Sequence, residues 1–306
     1  MSPGITMHAL PPLPPSRVLL LVNPNARSGS EGVEAAVETL EAGGVRVRVE
    51  TFTGPDEVET DIERAAGDAD CVAVAGGDGT LSRAGGVLAR KGLPLAILPC
   101  GTANDLARTL AIPEDLVAAA GVILAGHRRR IDLGTVNGHP FFNVASIGLS
   151  AELSRALTSD IKRRWGRFGY AIAGARVLAR ARPFRARITD GESTVVVRTL
   201  QIGVGNGVHY GGGNVVNADA AIDDAHFDLY SLELANVWKL ALMLRTFRSG
   251  THGAWSEVRT SRSDEFDVTT KRPMPVNVDG DLVTTTPAHF RIQPGAVTVY
   301  APPAAP

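Results

Sequence analysis

The feature that most constrains the fold is an apolar run at residues 71–75, which ends in a glycine-rich turn at 76–80. Because both faces of the run are apolar and turn residues bound it, the pattern predicts a buried parallel strand. A helix is predicted at 81–90, with Thr80 as its N-cap. The glycines would allow positive φ and close approach of a ligand. A strand followed by a glycine turn and the start of a helix presents backbone N–H groups and a positive dipole end, which favours binding of a nucleotide phosphate. The alternative is a tight strand-to-helix turn of any doubly wound sheet.

Strands and helices alternate four times between residues 17 and 110. Predicted strands cover 17–22, 45–51, 71–75 and 95–98, and predicted helices cover 31–41, 56–66, 81–90 and 106–110. This alternation predicts an α/β domain with a doubly wound parallel sheet and helices on both faces. Ligands bind such sheets at the carboxyl ends of the strands. Three polar loops, at Asn23, Gly76 and Gly101, are expected to meet there.

From residue 129 onward, short apolar segments alternate with Gly, Asp and Asn turns, which is typical of a mostly antiparallel β-sandwich. The predicted strands are 131–136, 141–145, 186–189, 194–204, 226–234, 266–269, 275–278, 288–292 and 296–300, and helices are predicted at 170–181 and 236–247. The predicted domains are therefore an α/β domain at 17–128 and a β-sandwich domain at 129–293. The cleft between them is the expected site.

Composition excludes several classes of protein. The 306 residues carry a formal net charge of −1, so nucleic acid is not an expected partner.

The proline-rich residues 1–16 lack the features of a signal peptide and are predicted to be a disordered leader. Cys71 and Cys100 are expected to be buried thiols in a reducing compartment. Because no run of about 18 apolar residues occurs, no membrane-spanning helix is expected.

Basic residues cluster in the middle of the chain. One group is 128–130, a second at 162–167 surrounds Trp165, with Phe168 beside it, and a third follows at 176–187. One interpretation is a surface that meets anionic lipid headgroups, with Trp165 at the interface. The alternative is a solvated helical face, and the sequence leaves both open.

A set of short motifs occurs in order along residues 17–302. They are Val22-Asn23-Pro24 with Ser28-Gly29, Gly76-Gly77-Asp78-Gly79-Thr80, Leu98 to Arg108 with Gly101-Thr102-Ala103-Asn104-Asp105 at its centre, Asn143-Val144-Ala145 with Gly148, Gly205-Asn206-Gly207 with Gly211-Gly212-Gly213, Asp219-Ala220 with Ile222-Asp223-Asp224, and Val278-Asp279-Gly280-Asp281. In order and spacing they resemble the catalytic-domain family of diacylglycerol kinases, which includes bacterial lipid kinases and the sphingosine and ceramide kinases. The glycine–aspartate loop alone also resembles that of the NAD kinases and, more distantly, the phosphofructokinases.

The resemblance implies ATP-dependent phosphorylation of a lipid hydroxyl. The expected substrate is diacylglycerol or a similar neutral lipid at a membrane surface, and the expected product is of the phosphatidate type. ATP and Mg²⁺ are the implied cofactors, and the implied location is cytoplasmic, peripheral at the inner membrane face. A homodimer is one expected assembly. In the family the last strands return to the first domain, so residues 294–302 are expected to complete it.

The resemblance also implies which residues bind the nucleotide. The glycine loop and the start of its helix match the family's nucleotide-binding positions, as does Thr102 on the neighbouring loop. Thr51 is the candidate for a threonine that the family has near the end of its second strand. The full expected set is Asn23, Thr51, Gly76, Gly77, Asp78, Gly79, Thr80, Leu81, Ser82, Arg83, Gly101, Thr102 and Asn104.

The acidic turn at residues 221–226 resembles the family's structural magnesium loop. The resemblance implies the Asp224 carboxylate and the main-chain oxygens of Ala221 and His226 as ligands, in keeping with the preference of Mg²⁺ for oxygen. The alternative is an ordinary acidic turn between two strands. The side chain of His226 is expected to be solvated or packed.

Two aspartates are the candidate catalytic residues. Asp279 matches the family's proposed proton acceptor, and a carboxylate there can take the proton of an attacking hydroxyl group. The alternative for Asp279-Gly280 is a hairpin turn. Asp78 stands among glycines that face phosphate, where its charge needs a cation or hydrogen-bond donors to offset it. Asp78 is therefore predicted to contact Mg²⁺ through water or to fix the loop.

The chain departs from the family's pattern at several positions. Ser82-Arg83 stands where the family usually has Asn-Glu, and Arg83 is expected in the first turn of the helix, where the dipole disfavours a cation. Ala225 replaces a glycine, which tests whether that position needs a positive φ. Asp281 replaces a glutamate. We expect the fold to be unchanged and the activity or substrate to be altered.

Two other functions stay open on the sequence alone. One is a kinase of a soluble alcohol, similar to the NAD kinases. The other is a nucleotide-sensing protein without catalysis, for which Arg83 is the hint. A large apolar cleft in the second domain would favour the lipid kinase.

Overall fold

The computed structural model describes residues 11–23, 29–52, 54, 57–156, 181–207, 209–210, 214–215, 220–234 and 257–303. The chain divides into two compact units: unit 1 is Met1–Leu133 with Pro294–Pro306, and unit 2 is Gly134–Gln293. The basic cluster around Trp165, the predicted helix at 236–247, most of that at 170–181 and the glycine run at 211–213 lie outside the described residues.

Unit 1 alternates strands and helices, as the sequence pattern predicts. Strands β1 to β4 form a parallel sheet in the order β2-β1-β3-β4, and β3 and β4 are buried throughout. Burial raises the pKa of the Cys71 thiol in β3, so Cys71 is a packed, protonated side chain. The elements are β1 (Arg17–Val22), α1 (Gly29–Ala42), β2 (Arg46–Thr51), α2 (Glu57–Ala65), a 3-10 turn (Ala66–Asp68), β3 (Cys71–Gly76), α3 (Asp78–Lys91), β4 (Leu95–Pro99), α4 (Asp105–Thr109), α5 (Leu116–Ala125) and most of β5 (Arg128–Val136).

Unit 2 consists mainly of antiparallel strands. Its elements are β6 (His139–Phe141), β7 (Val144–Gly148), α6 (Leu149–Ala156), β8 (Phe184–Thr189), β9 (Thr194–Thr199), β10 (Gln201–Gly205), β11 (His209–Tyr210), β12 (Asn214–Val215), β13 (Phe227–Leu232), β14 (Val258–Ser263), β15 (Glu265–Thr270), β16 (Pro275–Val278), β17 (Asp281–Thr285) and the first half of β18 (Ala288–Tyr300).

Two layers of strands enclose the core of unit 2. Six strands pair in the order β14-β13-β10-β7-β16-β17, and β9, β8, β15 and the first residues of β18 form a second antiparallel set. Apolar side chains from both sets share one buried cluster, in which the rings of Phe141 and Phe227 stack with centroids 5.6 Å apart. The predicted fold class, an α/β unit followed by an antiparallel sandwich, is confirmed.

The second half of β18 belongs to unit 1, where Val299 pairs with Leu95 of β4 in parallel register. The sequence-based boundaries, 128/129 and 293/294, compare with unit boundaries at 133/134 and 293/294. None of the helices in the described part of the chain has the length and hydropathy needed to cross a bilayer.

Two local predictions are wrong. The helix α3 begins at Asp78 with Gly77 as its N-cap, so Thr80 lies inside the helix and does not cap it. The disordered leader predicted at 1–16 is wrong for residues 11–16, since the N–H of Leu13 donates to the carbonyl of Gly126 (2.9 Å) and the Tyr300 hydroxyl donates to the carbonyl of Leu13 (3.2 Å). These bonds hold the proline-rich segment against unit 1. Residues 1–10 lie outside the described part of the chain.

Candidate active site

The carboxyl ends of the parallel strands bring the predicted polar loops to one edge of the sheet in unit 1. Asn23 follows β1, and its N–H donates to the carbonyl of Ala75 in β3 (3.1 Å). Thr51 ends β2, Gly76 ends β3, and Gly101 follows β4 after one intervening residue. Because all four strands run in the same direction, these loops lie side by side.

The two glycine loops pack backbone against backbone. A Cβ atom on Gly77 would lie 3.2 Å from the Cα atom of Gly101, and one on Gly101 would lie 2.6 Å from the Cα atom of Gly77. The φ of Gly77 is −101°, so the expected positive φ is not the reason for glycine there. The reason is the close contact between the loops, which leaves no room for a side chain.

The Asp78 carboxylate is bonded to the start of the next helix. One oxygen accepts from the N–H of Asp105 (3.2 Å) and the other from the N–H of Leu106 (2.9 Å). Asp78 therefore caps α4 from a different loop, and two donors offset its charge. Of the two roles predicted for Asp78, fixing the loop agrees with this geometry, and the contact with Mg²⁺ stays a prediction.

The loop before α4 is closed by Asn104. Its backbone is left-handed, with a φ of 51°, and its side-chain oxygen accepts from the N–H of Gly101 (2.8 Å). The amide of Asn104 is thus engaged within its own loop, whereas the side chain of Thr102 is exposed.

The predicted positions in α3 differ in their access to a ligand. Leu81 and Ser82 are 1 % and 2 % exposed, so their side chains face the interior. Thr80 and Arg83 are partly exposed. Because α3 begins three residues earlier than predicted, Arg83 lies in its second turn. The expected conflict between Arg83 and the helix dipole was therefore wrong, since the effect fades beyond the first turn.

Asp279 is held by backbone groups of unit 2. Its carboxylate oxygens accept from the N–H of Phe142 (3.2 Å) and of Val144 (3.1 Å), and its own N–H donates to the carbonyl of Val144 (3.1 Å). A carboxylate oxygen has two lone pairs, so one such bond does not saturate it. Asp279 and Gly280, with φ of 44° and 104°, also form the turn between β16 and β17. The hairpin interpretation is therefore correct, and it does not conflict with a role in proton transfer.

Of the predicted metal ligands of unit 2, the Asp224 carboxylate is bonded to the backbone of its own loop and to an arginine. The Asp224 carboxylate accepts from the N–H groups of Ala221 (3.2 Å) and His226 (3.0 Å), and Nη2 of Arg262 lies 2.6 Å from its Oδ2 atom. Oδ2 accepts two bonds and Oδ1 accepts one, and the partner cation is a guanidinium whose charge would repel a second cation at Oδ1, so this arrangement does not fit Mg²⁺. Within the described ranges, no three His, Cys, Asp or Glu side chains gather as a metal site.

Several groups that hold the predicted site residues of each unit carry no sequence signal. The two aspartates are held by N–H groups of Asp105, Leu106, Phe142 and Val144, and a backbone donor does not depend on residue type. Arg262 stands in a polar stretch without a motif.

Two family models match the chain. The model described as "Diacylglycerol kinase catalytic domain" matches residues 17–136. The model described as "YegS C-terminal NAD kinase beta sandwich-like domain" matches residues 143–301. The first match contains the glycine loops and the second contains Asp279.

Known proteins resemble the chain over most of its length. A probable lipid kinase YegS-like protein of Pseudomonas aeruginosa (strain UCBPP-PA14) is 33 % identical over 94 % of this chain and 95 % of its own. A diacylglycerol kinase of Staphylococcus saprophyticus is 30 % identical over 76 % of this chain and 77 % of its own. The crystal structure of a candidate diacylglycerol kinase from Bacillus anthracis superimposes with a TM-score of 0.81 at 26 % identity and covers 95 % of this chain and 97 % of its own.

Proposed function

Since this chain belongs to the diacylglycerol kinase family of lipid kinases, we propose that it transfers the γ-phosphoryl group of ATP to a hydroxyl group of diacylglycerol or a similar neutral lipid. Unit 1 is proposed to bind ATP, and unit 2 is proposed to supply the proton acceptor. The observation that carries the proposal is the bonding of Asp78 to α4, which removes the electrostatic objection to a phosphate at the glycine loop.

The start of α3 supports the nucleotide site. The first N–H groups of a helix have no acceptor within it, and the N-cap Gly77 brings no side chain to cap them. These groups and the helix dipole favour an anion. Asp78 lies in the same turn, but its charge is offset by the donors at α4. Asn23 and Thr102, on the neighbouring loops, are proposed to hydrogen-bond the phosphates or the ribose.

Asp279 is proposed to accept the proton of the lipid hydroxyl. Phosphoryl transfer leaves little covalent chemistry to the protein, which has to position the reactants, offset charge and take up this proton. The two backbone donors at Phe142 and Val144 fix the direction of the carboxylate. A general base of this kind contributes about 10²- to 10⁴-fold to the rate.

Mg²⁺ is proposed to enter with ATP and to neutralise charge on the transferring phosphoryl group. The lipid is proposed to be met at a membrane surface. The homodimer stays a prediction.

The test measures ADP release with a panel of acceptors that includes diacylglycerol, ceramide and sphingosine in mixed micelles. The Asp279→Asn variant should lose about 10²-fold or more in kcat with diacylglycerol and retain its affinity for ATP. Asparagine is chosen because it tolerates a left-handed backbone and keeps one acceptor oxygen for the two backbone N–H groups. Asp190→Asn is the matched control, because Asp190-Gly191 forms the turn between β8 and β9 of the same unit. Equal activity of the Asp279→Asn variant and the parent would show that Asp279 is not the base.

The same panel separates the alternatives. The likeness of residues 143–301 to a NAD-kinase-type sandwich makes NAD⁺ the soluble acceptor to include. If NAD⁺ stimulates ADP release and none of the lipids does, the protein is a kinase of a soluble alcohol and the lipid-kinase proposal is wrong. ATP binding without turnover of any acceptor would favour a nucleotide sensor.

A further inference from the structure

The Asp224 loop, residues 221–226, is closed by its own backbone around one carboxylate. The two N–H groups that donate to the Asp224 carboxylate belong to Ala221 and His226, on either side of it in sequence. Ala225 has a φ of 61°, which turns the chain back. In addition, Nδ1 of His226 lies 2.6 Å from the carbonyl oxygen of Asp224, which can only accept, so the ring donates. The loop thus folds around a negative charge that has to be balanced.

Arg262 supplies a positive charge at this point. Its Nη2 atom lies 2.6 Å from Oδ2 of Asp224, whose side chain is only 19 % exposed. Arg262 stands on β14 in register with Asp228 of β13, and residues paired in this way share one face of the sheet. Arg262 is therefore held on a paired strand, with Asp224 at its guanidinium group and Asp228 at the paired position of the neighbouring strand.

A guanidinium and a divalent cation would compete for the same oxygen. Oδ2 of Asp224 already accepts from Ala221 and from Arg262, which uses both of its lone pairs. Mg²⁺ would need to approach a carboxylate oxygen to about 2.0–2.1 Å. At Oδ2 it would have to displace the guanidinium, and at Oδ1, which accepts only from His226, it would be repelled by the same fixed positive charge. The guanidinium is always charged and covalently attached, so it does not dissociate.

We propose that Arg262 is the resident cation of the Asp224 loop and makes this loop independent of divalent cations. Arg262 bridges the loop to β14 and balances the charge of Asp224, as a structural Mg²⁺ would. Removal of the positive charge at position 262 leaves Asp224 open to a divalent cation.

The test compares the melting temperature in EDTA and in millimolar MgCl₂, without nucleotide. The parent protein should have the same Tm in both. Arg262→Met should lower the Tm in EDTA by about 2–4 °C and should regain most of this loss in MgCl₂. Adding Asp224→Asn to Arg262→Met should abolish the response to MgCl₂, which separates this site from any other that binds Mg²⁺. Arg262→Lys keeps the charge and should stay insensitive.

Arg259→Met is the matched control, because Arg259 lies on the same strand and its Nε atom is 2.7 Å from a carboxylate oxygen of Glu233. This variant should lose some stability without gaining a response to MgCl₂. A parent protein whose Tm falls in EDTA would overturn the proposal. An Arg262→Met variant whose Tm does not respond to MgCl₂ would also overturn the proposal. If Arg262→Met folds poorly while Arg262→Lys folds well, a failure of MgCl₂ to restore folding of Arg262→Met would count in the same way.

Discussion

Ala225 is the residue whose backbone conformation the sequence left open. The family has glycine there, and the alanine still adopts a φ of 61°. The position therefore does require a left-handed backbone, because the turn has to bring the N–H of His226 back to the Asp224 carboxylate. An L-residue with a Cβ atom is strained in this region by roughly 1–2 kcal/mol.

We expect Ala225→Gly to stabilise the protein. Relief of strain in the folded state outweighs the greater flexibility of glycine in the unfolded chain, which leaves a gain of about 0.5–1 kcal/mol in the free energy of unfolding. Urea denaturation measures this gain. Ala118→Gly, on the exposed face of α5, is the control and should lose about 1 kcal/mol. A loss of stability in Ala225→Gly would show that the alanine side chain contributes contacts that exceed its strain.

The helix α4 is the shortest α-helix in the described part of the chain and depends on a neighbour. A helix of five residues is unstable on its own, since nucleation is costly. Two of its first N–H groups are bonded to Asp78, which lies at the start of α3. The glycine loop and the loop at 101–104 are therefore held in register by one side chain.

Asp78→Ala should affect both stability and nucleotide binding. It leaves two N–H groups without their acceptor, so the free energy of unfolding should fall by about 1–3 kcal/mol, and the affinity for ATP should fall with the order of the two loops. Calorimetric titration with ATP and urea denaturation measure the two effects.

Asp115→Ala is the control for this pair of effects. Asp115 caps α5 by accepting from the N–H of Ala118 (2.8 Å), so its removal should cost about 1 kcal/mol and leave ATP binding unchanged. If Asp78→Ala loses stability but binds ATP as the parent does, the glycine loop is not part of the nucleotide site.

Strands β15 and β18 carry a cross-strand network of charges in unit 2. Oδ1 of Asp267 lies 2.9 Å from Nη1 of Arg291 and 2.9 Å from Nδ1 of His289. Burial raises the pKa of Asp267, but the hydrogen bonds and charges of Arg291 and His289 outweigh it and hold the pKa below its ordinary value. The hydrogen bond with Asp267 likewise raises the pKa of Arg291.

The depressed pKa of Asp267 predicts a pH-dependent contribution to stability. As the pH falls, the unfolded chain takes up the proton first, so the contribution is fully present above the unfolded pKa and is lost as the pH falls through the folded one. Asp267→Asn should cost at most about 1 kcal/mol at pH 7, and the difference from the parent should shrink below about pH 4. Urea denaturation across this range measures it. A difference that persists to pH 3 would assign the effect to packing rather than charge.

Strands and helices were predicted well where the polarity of the residues matches their burial in the structure. The apolar strands β1, β3 and β4 were recognised because both of their faces are covered. The helix α5 was overlooked because it is apolar on all sides, and β14 and β17 because they are largely polar or exposed. β18 was predicted as two strands because Pro294-Gly295 resembles a turn. In the structure Asp132 accepts from the N–H of Gly295 (2.7 Å), which lets the strand continue through this point.

The candidate site was predictable to a smaller extent. The motifs placed Asp78 and Asp279 at loop positions with a plausible chemistry. Their partners are backbone N–H groups from segments distant in sequence, such as Val144 for Asp279 and Leu106 for Asp78. Such partners are determined by the fold and carry no local pattern. The same holds for Arg262, whose role depends on the register of β13 and β14.

For the whole molecule, the return of the chain end to unit 1 is the feature with the widest consequence. Val299 is fully buried and pairs with Leu95 of β4, and the N–H of Ala301 donates to the carbonyl of His127 (3.1 Å). The unit that carries the glycine loops is therefore completed only by residues that follow unit 2 in sequence.

Val299→Ala should loosen unit 1 selectively. The lost contacts and the cavity cost about 2–3 kcal/mol, and local stability is set by the unit in which a residue packs. In hydrogen–deuterium exchange followed by mass spectrometry, amides of β3 and β4 should exchange faster than in the parent. Amides of β8 and β15 should be unchanged.

Val268→Ala is the reciprocal control, since Val268 is equally buried, in β15 of unit 2. It should accelerate exchange in β8 and β15 and leave β3 and β4 unchanged. If either variant accelerated exchange in both sets of strands to the same extent, the two units would unfold as one cooperative body. The return of β18 would then couple their stabilities rather than only complete the sheet of unit 1.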